Sequence, residues 1–363
     1  MLSEQQQVLF FRVIRLALHG GTLAKGESVP TEVVEALERH AVLGVVADTI
    51  AEHVTPEVQQ HIYEHMAALV RKECREEVCV TSIVASLQAA GIKAVLLKGL
   101  GLSRLYPDNG MRAVGDVDIF VGRERYSEAM SIVGSLCGEP DIDTRIPPTS
   151  IHGTADMDGI HIEVHHMAAD TALKGIKAEY NDMAERLLLD SERYAVINGK
   201  RVCVPPLPFD VVYVFEHLLK HLRYEGVGIR QFVDWIMALK ALAAICPYEA
   251  ERPAAEYVEL RDMLRRFRLL DAWQVLGGIL VWQLGLPKEL FPFWNERKAR
   301  HSQRRNLRYI LQAENLGRGT ATAKGYYFMP PSLKRKFLAL KYYLPVMIFE
   351  HHLFPYEGLK VFF

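Results

Sequence analysis

The chain has 363 residues, of which 50% are hydrophobic and 24% are charged, and its formal net charge is −1 at pH 7. This length exceeds what one typical hydrophobic core accommodates and predicts two or three domains, while the near-neutral charge excludes a global electrostatic attraction to nucleic acid. The five cysteines have no Cys-x-x-Cys spacing, and no segment has the apolar run of a signal peptide or a membrane span, which together predict a cytoplasmic protein with reduced thiols.

The N-terminal region, residues 1–86, is predicted to be helical because apolar residues recur at helical spacing, as in Val33 and Leu37. His61 and His65 lie one helical turn apart. Two histidines without a third ligand at a suitable spacing are typical of a surface, so no metal site is predicted here.

A separate helix from Thr81 to Ala90, which Gly91 ends, is predicted to lead into a buried strand and a glycine turn. Residues 93–97 have the composition of a short buried strand, and they lead into Lys98-Gly99-Leu100-Gly101, where two glycines permit a tight turn and close approach of the backbone to a ligand. A helix over residues 100–105 is then predicted to end at Tyr106-Pro107-Asp108-Asn109-Gly110, because proline disfavours helix at the preceding residue and Asn-Gly favours a turn.

The second strand, residues 115–121, carries two acidic side chains on one face. With a period of two, Asp116 and Asp118 point to the same side, about 7 Å apart along the backbone. If they turn inward to about 5 Å, their repulsion is about 3 kcal/mol at an effective dielectric near 20. A cation between them relieves that repulsion, and hard carboxylate oxygens suit Mg²⁺ or Mn²⁺. The alternative is a solvated strand end with two acidic residues.

A third strand, residues 159–166, is predicted after an amphipathic helix over 123–137 and a turn-rich stretch over 139–159, whose tip is expected to be a mobile loop. In this strand Glu163 shares a face with His161 and His165. The alternative is an edge strand with a polar outer face.

The rest of the chain is predicted to be mostly helical after a hairpin around Asn198-Gly199 and a boundary at Pro205 to Pro208. The next two predicted helices each contain a pair of polar residues one turn apart, His217 with His221 and Arg230 with Asp234. We expect these pairs to form a polar cluster that docks the helical region under the active site, or to bind a substrate anion. A basic run over residues 297–308 either binds phosphate or nucleic acid or forms a solvated helix face. The segment from Leu333 is predicted to be a packing helix or an interface.

The order of these motifs resembles a known family. The chain resembles the bacterial branch of uncharacterised nucleotidyltransferases in the DNA polymerase beta-like superfamily. The resemblance lies in the order of a strand, the Lys98-Gly99 turn, a short helix, Tyr106-Pro107-Asp108, Arg112 and Gly115-Asp116-Val117-Asp118 with an apolar strand end. The match covers about 30 residues. The wider superfamily usually has Gly-Ser at the turn, so the resemblance implies that Lys98 and backbone N–H groups, rather than a serine hydroxyl, hold phosphates.

The resemblance implies a site as well as a fold. Asp116, Asp118 and Glu163 are expected to be catalytic and to bind Mg²⁺ or Mn²⁺. The nucleoside triphosphate, with ATP as the expected substrate, is expected to contact Lys98, Gly99, Gly101, Arg112 and His165. The acceptor hydroxyl belongs to a small molecule, a protein or an RNA.

The predicted fold class is α+β, with a small polymerase-beta-like nucleotidyltransferase lobe at residues 87–205 flanked by helical regions at 1–86 and 206–363. The predicted function is metal-dependent nucleotidyl transfer from an NTP by a two-metal mechanism. Two alternatives stay open: a non-catalytic nucleotide-binding member of the family, and a toxin-system component that modifies protein or tRNA.

Overall fold

The computed structural model describes residues 2–300, apart from 109–110, 148–149, 171–175 and 225, together with residues 307, 310 and 311. Most of the basic run at 297–308 and the whole segment from Leu333 therefore lie outside the described residues. The described chain divides into two compact units, residues 60–213 and residues 1–59 with 214–363. The predicted regions at residues 1–86, 87–205 and 206–363 stay a prediction.

Unit 60–213 is built on one mixed sheet, which confirms the predicted α+β class. Its six strands run in the order β3-β4-β2-β1-β6-β5. Neighbours β2 and β4 are parallel, as are β1 and β6, and the other neighbouring pairs are antiparallel. The strands are β1 (Val95–Leu97), β2 (Val117–Phe120), β3 (His152–Met157), β4 (Ile160–His165), β5 (Tyr194–Ile197) and β6 (Lys200–Cys203).

The helices of this region are α4 (Pro56–Ala89), α5 (Gly99–Ser103), α6 (Tyr126–Leu136), α7 (Lys177–Leu189) and the start of α8 (Leu207–Tyr224). One face of the sheet forms the core with α4 and α6: Ile119 and Val164 are buried in one cluster with Ile83 of α4 and Met130 of α6. At about 25 cal/mol per Å² of apolar surface, this burial holds the sheet in place. The opposite face carries Asp118 and Glu163 next to buried apolar residues such as Val95 and Phe120.

The other unit is helical. It contains α1 (Glu4–His19), α2 (Thr31–Arg39), α3 (Leu43–Ile50), α9 (Ile229–Ile245), α10 (Ala255–Arg266), α11 (Leu270–Gly278) and α12 (Glu296–Arg300), with a π-helical turn at Ile279–Gln283 and short 3₁₀ helices at Ala51–His53 and Lys288–Leu290. Aromatic rings fill its core, and Trp235 packs on Phe215 and Trp273 with centroids 4.6 and 4.7 Å away. Within the described residues, no helix combines the length and the hydrophobicity that crossing a membrane requires.

Two local predictions differ from the structure. Helix α4 is continuous over 34 residues, although a separate helix was expected to begin at Thr81; neither glycine nor proline interrupts the chain between Pro56 and Gly91. The stretch over 139–159 was predicted to be a loop, but its second part forms β3, which pairs with β4 through a turn at Asp158 and Gly159. Both turn residues have a positive φ, which Asp and Gly tolerate.

Candidate active site

The Lys98 turn lies where β1 ends and α5 begins. Lys98 has φ 44° and ψ −143°, and Gly99 has φ 41°. A side chain at a positive φ is strained, whereas glycine adopts it freely. A Cβ added to Gly99 would lie 3.3 Å from the carbonyl oxygen of Asp116, so glycine also allows the turn to approach the residues that lead into β2.

Lys98 points to Asp118. Its Nζ lies 2.9 Å from Asp118 Oδ1, and the two side chains are 16% and 6% exposed. Gly101 packs the same turn closely, because a Cβ there would lie 3.4 Å from the Leu96 carbonyl oxygen and from Val204. The strained backbone therefore places an ammonium group directly on a buried carboxylate.

Asp118 and Glu163 are neighbours across the sheet, because β2 and β4 are parallel and these two residues are paired. His165 lies between their carboxylates. Its Nε2 is 3.0 Å from Asp118 Oδ1 and 3.2 Å from Glu163 Oε2, while its Nδ1 is 3.3 Å from the Met167 carbonyl oxygen. Since acceptors face both ring nitrogens, a doubly protonated ring that donates to all three oxygens fits this geometry.

The pKa of His165 follows from this geometry. Burial alone would lower it, but the hydrogen bonds to Asp118 and Glu163 outweigh burial and raise the pKa above its ordinary value. In this arrangement His165 holds the two carboxylates together and offsets their repulsion.

Asp116 has a different environment. It is exposed and lies just before β2. Desolvation raises its pKa, and so do the negative charges of Glu163 and Asp118. The three predicted acidic residues are therefore close enough for their charges to interact. Asp116 and Asp118 were predicted to share one face of a strand, but Asp118 is buried and Asp116 is exposed.

His152 is the site residue that sequence reasoning missed. In β3 it is paired directly with His165 of β4, and its Nδ1 lies 3.0 Å from Glu163 Oε2. The pair is within ion-pair distance but lacks the direction of a hydrogen bond, and within the described chain Nδ1 is a buried atom with no hydrogen-bond partner. Burial opposes ionisation of Glu163, but His152 and His165 outweigh it and hold its pKa well below the usual range. The sequence feature that could have revealed β3, and with it His152, is Asp158-Gly159, a hairpin dipeptide directly before β4.

Arg112 and α4 support the loops of the site. Arg112 is buried, its Nη1 donates to the Ala113 carbonyl oxygen at 3.4 Å, and its charge acts on Glu76. Lys72 of α4 donates to the carbonyl oxygens of Val114 and Gly115 at 2.9 and 3.1 Å. These contacts fix the backbone that leads directly to Asp116.

The turn between α5 and β2 is held from the same helix. Arg104, which follows α5, pairs with Glu73 at 2.9 Å and also with Glu77. Ser103 Oγ donates to the Leu100 carbonyl oxygen and lies 3.5 Å from Glu73 Oε1. Helix α4 thus anchors both the end of the Lys98 turn and the start of the acidic strand.

The donor set fits a divalent cation. Three carboxylates interact here: desolvation, and after it the negative charges of Glu163 and Asp118, raises the pKa of Asp116. A buried imidazole nitrogen next to Glu163 has no hydrogen-bond partner in the described structure. Carboxylate oxygens suit Mg²⁺ and Mn²⁺, and imidazole nitrogens suit transition-metal ions.

A family model described as an uncharacterised nucleotidyltransferase matches residues 27–270. Among curated proteins, none matches the chain significantly.

Two solved structures are similar to part of the chain. The solution structure of the antibiotic-resistance factor ANT(2'')-Ia is 16% identical, with a TM-score of 0.38, and the match covers 55% of this chain and 97% of that one. The crystal structure of an antigenic nucleotidyltransferase-like protein from Paracoccidioides brasiliensis is 12% identical, with a TM-score of 0.32, and covers 55% and 91%.

Proposed function

The chain belongs to the uncharacterised nucleotidyltransferase family, and from this premise we propose that it moves a nucleoside monophosphate from an NTP to an acceptor hydroxyl at the Asp116, Asp118 and Glu163 site. The observation that carries the proposal is the pairing of Asp118 with Glu163 across β2 and β4, with Asp116 beside them. Two carboxylates thus lie side by side on neighbouring interior strands of the sheet, and the third lies directly before β2.

In this proposal Asp116, Asp118 and Glu163 hold Mg²⁺ or Mn²⁺. Bound there, the metal ions would stabilise charge on the entering and leaving oxygens of an in-line displacement. The acceptor oxygen forms a bond to the α-phosphorus, its hydroxyl proton passes to water, and the bond from the α-phosphorus to the bridging oxygen breaks, so that pyrophosphate leaves. ATP is the first nucleotide to test, and the acceptor is a small molecule, a protein or an RNA.

The chain's own residues have distinct roles in the proposal. Lys98 leaves Asp118 and neutralises triphosphate charge, while the small residues Gly99 and Gly101 let the backbone come close to the phosphates. His165 keeps the carboxylates of Asp118 and Glu163 oriented. Arg112 braces the loop that leads to Asp116 or contacts the triphosphate.

The experiment uses NTPs labelled at the α-phosphate, because that phosphate moves with the nucleotide whereas a γ-label would leave with pyrophosphate. Purified protein is incubated with each labelled NTP, Mg²⁺ or Mn²⁺ and fractions of a lysate, and the labelled product is isolated. Label should be transferred by the wild type and lost in Glu163→Gln. The control is Glu124→Gln, because Glu124 is an exposed acid of the same unit; full transfer by Glu163→Gln would refute the proposed site.

A second candidate is a member of the family that binds nucleotide without transferring it. It is favoured by one observation, the contact at 2.9 Å between Lys98 Nζ and Asp118 Oδ1, because a lysine on that oxygen opposes a metal ion there. Nucleotide binding by calorimetry, with no transfer to any fraction and no pyrophosphate released, would favour this candidate.

A further inference from the structure

Two imidazole rings converge on one oxygen of Glu163. His152 Nδ1 lies 3.0 Å and His165 Nε2 lies 3.2 Å from Glu163 Oε2. The rings are nearly perpendicular, at 82°, with centroids 4.9 Å apart. One ligand atom from each of the three residues lies within 4.8 Å of the other two.

The two distances to Glu163 Oε2, 3.0 and 3.2 Å, match the spacing of neighbouring ligands in a coordination sphere. A metal ion with ligands at about 2.1 Å in octahedral geometry holds neighbouring ligands about 3.0 Å apart, and a tetrahedral ion holds them slightly farther apart. Hydrogen bonds have similar lengths, but they need direction. The contact of His152 lacks that direction, and its buried Nδ1 has no hydrogen-bond partner in the described chain.

The second nitrogen of His165 supports the same conclusion. Histidines that bind metals usually donate the other ring N–H to a carbonyl or carboxylate, which fixes the tautomer. His165 Nδ1 lies 3.3 Å from the Met167 carbonyl oxygen. A bound metal ion would replace the Nε2 proton that otherwise bonds Asp118 and Glu163, while Nδ1 keeps its proton for the Met167 carbonyl oxygen.

We propose that His152, Glu163 and His165 form a mixed nitrogen and oxygen site for a first-row transition-metal ion. Imidazole ligands favour such ions over Mg²⁺, which prefers oxygen and water. The site shares Glu163 with the proposed catalytic site and so rests partly on that proposal, but it requires neither nucleotide nor transfer. It assigns a role to His152.

The test uses Cu²⁺ as the probe, on the full chain without nucleotide, because imidazole suits Cu²⁺ whereas carboxylates suit Mg²⁺ and Mn²⁺. Pulsed electron paramagnetic resonance of bound Cu²⁺ should show coupling to nitrogen, and labelling histidine with ¹⁵N should change that signal. Calorimetry should show that His152→Gln weakens Cu²⁺ binding by at least tenfold, the lower end of the cost of losing even an outer-shell partner, while Mg²⁺ binding changes much less. The matched control is His161→Gln, because His161 is an exposed histidine of the same strand.

The outcomes separate the two proposals. Bound Cu²⁺ without nitrogen coupling in the wild type would overturn this inference even if transfer is observed, and so would equal Cu²⁺ affinity of His152→Gln and His161→Gln. Nitrogen coupling with no transfer from any NTP would support this site while the proposed function fails. The ¹⁵N measurement needs no variant, so a His152→Gln protein that does not fold leaves the test intact.

Discussion

Replacing Lys98 by methionine removes the ammonium from Asp118 and keeps most of the side-chain volume. The Nζ of Lys98 lies 2.9 Å from Asp118 Oδ1. If this contact neutralises Asp118 when no metal is bound, Lys98→Met should make the carboxylate more available. We therefore expect Lys98→Met to bind Mn²⁺ more tightly than the wild type in the absence of nucleotide.

The size of the effect follows from the distance and the burial. Two unit charges 2.9 Å apart attract by about 6 kcal/mol at an effective dielectric of 20. Desolvation of both groups offsets much of this attraction. A net value of about 1.5–3 kcal/mol, typical of a hydrogen bond to a charged group, remains. Mn²⁺ affinity should rise by about 10-fold to 150-fold.

The assay compares two affinities by calorimetry, one for Mn²⁺ alone and one for a non-hydrolysable NTP with metal. A lysine that also binds phosphate should cost triphosphate affinity by about 1.5–3 kcal/mol when removed. Lys93→Met is the matched control, because Lys93 lies just before β1 and donates to the Ser191 carbonyl oxygen at 2.7 Å. Lys98→Gly is a second variant, since glycine also relieves the positive φ.

Two results would refute the reasoning about Lys98. If Lys98→Met and Lys93→Met bind Mn²⁺ as the wild type does, Lys98 does not compete with metal at Asp118. If triphosphate affinity is unchanged in Lys98→Met, the phosphate role is wrong. A Lys98→Gly protein less stable than Lys98→Met would contradict the backbone strain, which is expected to cost about 1–3 kcal/mol.

The remaining predictions concern single residues. Asp118→Asn should lower the free energy of unfolding, because it leaves Lys98 without its ion pair. Asp116→Asn should leave the free energy of unfolding unchanged or raise it, because it removes repulsion between carboxylates. Urea denaturation of both variants measures this contrast, and equal effects would contradict the prediction. Gly99→Ala should destabilise the turn by about 1 kcal/mol or more, through its positive φ and the Asp116 carbonyl oxygen at 3.3 Å, and an unchanged melting temperature would count against this. His40 is buried, and burial lowers its pKa to about 4. Its unfolded state therefore binds the extra proton first, and stability should fall by about 3 kcal/mol as the pH is lowered from 6.5 to 4. His40→Gln should lose that part of the pH dependence, and an identical pH profile would show that His40 is not its source.

Elements with strong local signals could be predicted from the sequence. The hairpin of β5 and β6 follows from Asn198-Gly199, and both residues have the positive φ that its turn requires. The order of β1, the Lys98 turn, α5 and β2 followed from an apolar run, two glycines and a proline. Strand β3 was missed because His152–Met157 contains few residues of high β-propensity and follows a stretch rich in turn residues.

The environment of each acidic residue could not be predicted. Alternation along residues 115–121 placed Asp116 and Asp118 on one face, but β2 begins only at Val117. Asp116 therefore lies outside the regular strand and stays exposed, whereas Asp118 is buried beside Lys98. The point at which a strand begins depends on which neighbour pairs with it, and that is not encoded within seven residues.

The convergence of His152 and His165 on Glu163 depends on strand register, which is a non-local property. Parallel pairing of β2 with β4 sets Asp118 opposite Glu163, and antiparallel pairing of β3 with β4 sets His152 opposite His165. A slip of one residue in either pairing would turn the affected side chains to the other face. The apolar residues on the opposite face, Ile162 and Val164 of β4 among them, are fully buried and prevent such a slip. The core that holds the sheet therefore also fixes which polar groups meet, so the site follows from packing that no single motif contains.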